Sequence, residues 1–242
     1  MKIRKYVVPI LACVMLLTGV MAFKVNAAGF ITEDIDAETK ERILSNTELQ
    51  ITYTQPPKDG IECFDVNEYE WVALGFSDMN QKTVSIYDAD FIFQYAITFQ
   101  DSGNYGVGWS GENLLIYSVR GNYSLEIHPD GEIADIKAIP TTKENNCYWN
   151  DVVYGTEREV NGARYEVGND MGILNVFANA HSQLYKTDSA GNRMLLFSAN
   201  RMQSQTVLTW MIIIITFIGV WMLLFISQIR RSRRKTENGF EA

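Results

Sequence analysis

The chain has 242 residues, 47% of them hydrophobic, and a formal net charge of −8. Both ends are apolar and basic, so the segment from Phe30 to Gln203 is far more acidic than the whole: 12 Lys and Arg against 27 Asp and Glu, a net charge of −15. Such a segment repels nucleic acid, which is excluded as a partner, and its length suits one domain with its own core.

Residues 1–27 have the composition of a secretory signal peptide. Three cations in the first five residues precede the apolar segment Tyr6–Phe23, and the small residues Val25 and Ala27 favour cleavage after Ala27. An uncleaved membrane helix and a lipoprotein signal at Cys13 are the alternatives. All three place the following domain outside the cytoplasm.

Residues 28–48 are predicted to contain a short helix. It starts near Asp34 or Asp36 and runs to Leu44, because acidic residues crowd its first turn and cations follow, as the helix dipole favours.

Residues 49–203 are predicted to form an antiparallel all-β domain, propeller-like or sandwich-like. β-branched and aromatic runs alternate with Asp, Asn and Gly clusters at spacings of 8–12 residues. Residues 140–150 are predicted to be a loop. Asn161-Gly162 is the strongest hairpin signal, because both turn positions require positive φ. The predicted strands are Gln50–Thr54, Trp71–Phe76, Thr83–Tyr87, Phe91–Phe99, Tyr105–Trp109, Leu114–Val119, Ser124–Ile127, Ile133–Ile139, Val152–Val160, Ala163–Val167, Ile173–Ala178, Ser182–Lys186 and Met194–Phe197.

A pattern of strand, Asp-containing turn and strand occurs three times, around Asp88, Asp130 and Asp188. With four short strands per unit, residues 62–200 resemble blades of a β-propeller. The Trp-Asp and Gly-His signatures of WD repeats are missing, and three units are too few to close a ring. An open fan, a twisted sandwich and part of an oligomer are the alternatives. In architecture the chain also resembles membrane-anchored surface proteins of Gram-positive gut bacteria, which implies no particular activity.

No sequence motif predicts catalysis, a metal site or a cofactor, and none is expected. Gly106–Gly111 matches G-x-G-x-x-G, but a strand follows it instead of the required helix. Asp88–Asp90 and Asp188–Asn192 lack the further ligands of a calcium loop and are interpreted as turns. His128 and His181 belong to no nucleophile–base pattern.

Two cysteines, Cys63 and Cys147, remain after signal removal. A disulfide is permitted outside the cytoplasm, and closing so long a loop is worth ~4–5 kcal/mol in the chain-entropy model. Two unpaired, partly buried thiols are the alternative.

Tyr148 and Trp149 are the candidate ligand contacts. Most other aromatic residues of the domain alternate along predicted strands, as core residues do. This pair instead lies in the Asn-rich segment Glu144–Asn150, where aromatic rings could stack on a sugar or a peptide.

A transmembrane helix is predicted over residues 206–229. The apolar run Val207–Ile229 has no formal charge, and at ~1.5 Å per residue it covers about 35 Å, enough for a hydrocarbon core of ~30 Å. Five cations at the start of the tail, residues 230–242, favour a cytoplasmic location for that end and a single-pass type I topology in the cell membrane. They are Arg230, Arg231, Arg233, Arg234 and Lys235.

These features favour a non-enzymatic module, held by one helix in the lipid, that binds a protein or glycan partner outside the cytoplasm. An accessory subunit of a cell-envelope complex is the first alternative. An extracytoplasmic hydrolase using a carboxylate pair is the second, although 27 carboxylates without a spacing rule identify no pair.

Overall fold

The computed structural model describes residues 29–170, 172, 175 and 180–238. Within the C-terminal helix, the side chains it describes are those of residues 200, 205 and 207–227. The predicted signal peptide, residues 1–27, lies outside the described residues, as does most of the predicted strand Ile173–Ala178.

The described residues contain fourteen strands, three α-helices and one π-helical turn. The helices are α1 (Ala37–Thr47), α2 (Lys143–Tyr148) and α3 (Asn200–Asn238), and the π-helical turn is Trp149–Val153. The strands are β1 (Glu33–Asp34), β2 (Gln50–Thr52), β3 (Cys63–Val66), β4 (Val72–Asp78), β5 (Gln81–Tyr87), β6 (Phe93–Gln100), β7 (Tyr105–Ser110), β8 (Asn113–Ser118), β9 (Tyr123–Ile127), β10 (Ile133–Ala138), β11 (Glu157–Val160), β12 (Ala163–Gly168), β13 (Gln183–Thr187) and β14 (Arg193–Ser198).

The strands form three antiparallel sheets, each built on a four-stranded meander. Sheet I contains β3 to β6 in sequence order, with β2 beside β6. Sheet II contains β7 to β10, with β1 beside β10, and sheet III contains β11 to β14. None of the three closes on itself, and the antiparallel β class predicted from the sequence is confirmed.

Sheet I packs against both other sheets. One buried cluster joins it to sheet II and includes Ala73, Tyr105 and Ile116, and a second joins it to sheet III and includes Leu74 and Tyr165. Successive side chains of a strand point to opposite faces, so neighbouring residues of β4 enter different cores. Burial of both faces explains why β4 begins as a continuous apolar run.

The first strands of the three meanders adjoin, since β3 contacts both β7 and β11. The π-helical turn, which lies between sheets II and III in the sequence, packs against β3 and β7. The region where these strands meet is therefore covered by a helical segment.

Four hairpin turns share one backbone geometry. Each turn has five residues. The N–H of the first residue donates to the carbonyl of the fifth, and the N–H of the fourth donates to the carbonyl of the first. The fourth residue has positive φ. This is a type I turn followed by a left-handed residue, a common hairpin loop. The four turns are residues 67–71, 88–92, 128–132 and 188–192.

Asx side chains stabilise three of these turns. The first residue of these turns is Asn67, Asp88 or Asp188. One of its side-chain oxygens accepts hydrogen bonds from the backbone N–H groups of the third and fifth residues of the turn. In sheet II the first residue of the turn is His128. Asp130, which the predicted repeat aligns with Asp88 and Asp188, is the third residue of its turn. The two Asp segments considered as calcium loops are thus hairpin turns.

The predicted loop at residues 140–150 is wrong for most of its length. Thr142 caps a helix there, its side chain accepting a bond from the backbone N–H of Asn145 at 3.1 Å. The helical segment continues to Val153, which shortens the predicted strand Val152–Val160 to Glu157–Val160.

The helices at the two ends of the domain agree with the sequence patterns. Asp36 caps α1 by accepting a bond from Thr39 N–H at 2.9 Å. Helix α3 includes Val207–Ser227, a segment long and apolar enough to span a membrane, with none of it buried against the protein. The helical backbone continues to Asn238, through the basic residues of the tail.

Candidate functional site

A cavity of about 390 Å³ lies between turns of sheets I and II. We call it the aromatic cleft. Its lining residues are Asn67, Tyr69, Trp71, Glu112 and Pro129. They come from the β3–β4 turn, the β7–β8 turn and the β9–β10 turn, so the cleft exists only when the two sheets pack together.

Asn67 sets the shape of the cleft. Its side-chain oxygen accepts bonds from the N–H groups of Tyr69 and Trp71, at 3.0 and 2.9 Å. Its amide nitrogen donates to the carbonyl of Gly111 at 3.3 Å, across to sheet II. Through these contacts Asn67 positions the aromatic residues and joins the two turns.

Glu70 ties the same turn to sheet III. Its carboxylate accepts a bond from the Tyr165 hydroxyl at 2.9 Å and pairs with Lys186 at 2.5 Å. The bond from Lys186 is the main cause that lowers the pKa of Glu70 below its usual 4.5. In addition, Asn161 donates to the carbonyl of Glu68 at 3.0 Å. The turn that supplies most of the cleft is thus held on two sides.

The groups left for a ligand are two aromatic rings and one carboxylate. Tyr69 is 54% exposed, while Trp71 is half-buried and packs against the core between sheets I and II. Glu112 is exposed, and among the described residues it makes no ion pair. Aromatic faces beside a carboxylate suit sugar rings, peptide side chains or cations.

Tyr148 and Trp149, the candidates from the sequence, lie at the end of α2 and the start of the π-helical turn. Both are half-buried. The Trp149 ring packs edge-on against Tyr117 and is stacked with Tyr154, with centroids 6.0 and 5.7 Å apart. Burial raises the pKa of Tyr148. Both rings therefore have a packing role, and ligand contact by them stays a prediction.

Arg158 and Asp65 form a partly buried ion pair close to this aromatic group, joining β11 to β3 at 2.7 Å. Arg158 also donates to four backbone carbonyls, which uses all five of its N–H groups. A saturated guanidinium has no donor left for a ligand, so the pair is a structural connection between sheets I and III.

Cys63 and Cys147 are both free in the structure. Cys63 is buried in the core between sheets I and II, where burial raises the pKa of its thiol well above the ordinary value. Cys147 is exposed on α2. The geometry therefore corresponds to the unpaired alternative, and the disulfide stays a prediction for experiment.

A second cavity, of about 370 Å³, is open and lies beside α1. Arg42 and Arg120 contribute its cations and Tyr123 its aromatic ring. Arg120 is already bonded to Ser102 at 2.9 Å. Compared with the aromatic cleft, this cavity has more hydrogen-bonding groups but is less enclosed.

Sequence reasoning missed Tyr69, Glu112 and Pro129, and assigned Trp71 to packing. The available signal was the alternation of acidic and aromatic residues in Asn67–Trp71, which is unusual for a short turn. Among the described residues, no group of three or more His, Cys, Asp or Glu side chains could hold a metal ion. The side chains of the five basic tail residues lie outside the described set.

Comparisons with known proteins assign no family. No family model matches the chain, and no curated protein matches it. Among solved structures, a selenomethionine-substituted virginiamycin B lyase from Staphylococcus aureus is similar over 62% of this chain and 59% of that chain, with 12% identity and a TM-score of 0.21. The chain thus spans about three fifths of that protein, and a score this low carries no argument about function.

Proposed function

We propose that this chain is a single-pass type I membrane protein whose all-β domain binds a partner outside the cytoplasm through the aromatic cleft. The observation that carries the proposal is the exposure of Tyr69 beside Trp71 in a cavity of about 390 Å³. Sites for ligands are typically concave and largely apolar with few polar groups. The cleft has this character.

The anchor supports the same proposal. Helix α3 begins at Asn200, directly after β14 ends at Ser198, so a spanning segment starting at Val207 would hold the domain close to the bilayer. The basic residues after the segment favour a cytoplasmic tail and an external domain. A binding domain in this position meets partners at the cell surface.

We further propose that the three meanders are blades of an open, propeller-like arrangement. Each has four strands in up-and-down order, and their first strands adjoin with β3 between β7 and β11. A ring of blades places its first strands next to one another in this way.

Binding by the full-length protein in polyoxyethylene detergent tests the proposal. Immobilised through its C-terminus, wild type is expected to bind members of glycan and peptide arrays, and Tyr69→Ala to lose that binding. Tyr53→Ala is the matched control, because Tyr53 is 72% exposed and outside the cleft.

Three results would overturn the proposal. Array binding that survives in Tyr69→Ala would place the site elsewhere. No array binding, together with one stoichiometric membrane partner, would favour the accessory-subunit alternative, and ligand turnover would favour the hydrolase.

A further inference from the structure

The turns that form the aromatic cleft are strongly acidic. They contribute five carboxylates and no Lys or Arg: Glu68, Glu70, Glu112, Asp130 and Glu132. Lys186 pairs with Glu70, and no ion pair is recorded for the other four among the described residues. The domain around them has a net charge of −15. The local and the overall potential both favour a cation.

We propose that the aromatic cleft binds a methylated ammonium group of the choline type. The inference rests on the proposed binding role of the cleft and names its ligand class. Cations bind over the faces of Trp and Tyr rings, and quaternary ammonium groups are recognised by aromatic residues. Tyr69 and Trp71 supply the rings, and Glu112 supplies the counter-charge within the same cavity.

Hydrogen bonding distinguishes a methylated ammonium from other ligands. A primary ammonium has three N–H donors and requires acceptors, and a sugar requires several donors and acceptors. The Asn67 side-chain oxygen already accepts two bonds inside the protein, from Tyr69 and Trp71, and its amide nitrogen donates to Gly111. A quaternary ammonium such as that of choline has no N–H, so it requires no hydrogen-bond acceptor and is stabilised by the two rings and the Glu112 charge.

The experiment compares choline with 3,3-dimethyl-1-butanol, which has the same shape without the charge. Binding to the full-length protein is measured by titration calorimetry in polyoxyethylene detergent, which contains neither sugar nor ammonium. We expect choline to bind at least tenfold more tightly than the alcohol and than Nα-acetyl-lysine amide, and its affinity to fall with added NaCl.

Matched variants assign the effect to the cleft. Tyr69→Ala and Glu112→Gln are each expected to weaken choline binding about tenfold, and Tyr69→Phe, which keeps the ring, to retain it. Glu41→Gln is the control for loss of one negative charge, since Glu41 is exposed on α1. Tyr53→Ala is the control for loss of an exposed tyrosine.

The outcomes separate this inference from the proposed function. Equal affinity for choline and the alcohol, or tighter binding of the lysine derivative, overturns the choline assignment. If choline does not bind but array ligands still depend on Tyr69, the ligand class is wrong and the binding role stands. If no ligand depends on Tyr69, the binding role fails as well.

Discussion

Gly106 and Gly108 in β7 are glycines because aromatic and aliphatic side chains lie directly against the backbone. A Cβ at Gly106 would overlap Val153 Cγ1 and approach Trp149, and a Cβ at Gly108 would lie 2.5 Å from the Tyr117 hydroxyl. Gly106 thus allows the helical segment to pack closely on sheet II, and Gly108 leaves room for the Tyr117 side chain of β8. Nucleotide binding is not needed to explain them.

Gly106→Ala is expected to destabilise the domain by about 1–3 kcal/mol, because the added methyl overpacks a filled interior. Urea unfolding followed by circular dichroism measures the change. Gly168→Ala is the control, since a Cβ there meets nothing within 4 Å. Equal stability of Gly106→Ala and wild type would show that the helical segment does not pack on β7.

The two free thiols are expected to react differently with maleimide. Cys147 is exposed and should react in the native full-length protein, whereas Cys63, 4% exposed with a raised pKa, should react only after denaturation. Mass spectrometry counts the labels. A third label, at Cys13, would show that the N-terminal segment is retained. If neither Cys63 nor Cys147 is labelled without reductant, even after denaturation, the two cysteines form a disulfide.

At the scale of the element, the β3–β4 turn connects all three sheets. Asn67 bonds to Gly111 of the turn in sheet II, and Glu70 bonds to Tyr165 and Lys186 of sheet III. Glu70 adopts a left-handed conformation, with φ of 62°, that non-glycine residues rarely adopt. The ion pair offsets this strain and holds the residues of the cleft in place.

Glu70→Gln is expected to destabilise the protein by ~1–2 kcal/mol at pH 7, through loss of a charged hydrogen bond. The pKa of Glu70 is lowered in the folded state, so its stabilisation is complete above its unfolded pKa of about 4.5 and is lost as pH falls through the folded pKa. The difference between variant and wild type should therefore shrink from pH 6 to pH 3. Thermal unfolding measures it, with the exposed Glu144→Gln as control, and a difference independent of pH would contradict the assignment.

Elements that depend on local chemistry were predicted better than elements that depend on packing. The Asn161-Gly162 hairpin requires two residues that tolerate positive φ, and the α1 cap requires an Asp side chain. Both requirements can be recognised in the sequence. Strand β3 has only four residues, and α2 lies in an Asn-rich segment of low helix propensity. Both owe their stability to contacts with other elements.

At the scale of the whole molecule, the charges separate into an acidic domain and basic ends. A type I topology predicts that a membrane-impermeant maleimide labels Cys147 on intact cells. In a Cys147→Ser background, Ser232→Cys in the tail should be labelled only after permeabilisation. Labelling of the tail in intact cells would reverse the proposed orientation.

The sequence by itself determined the antiparallel β class, the acidic character of the domain, and a C-terminal helix able to span a bilayer. These follow from periodicity, charge and the length of an apolar run, which are local properties. Only the tertiary structure decided that sheet I lies between the other two, and that Tyr69, Trp71, Glu112 and Pro129 line one cleft. These residues come from three turns up to 62 positions apart in the chain, and packing between sheets, which no local pattern encodes, brings them together.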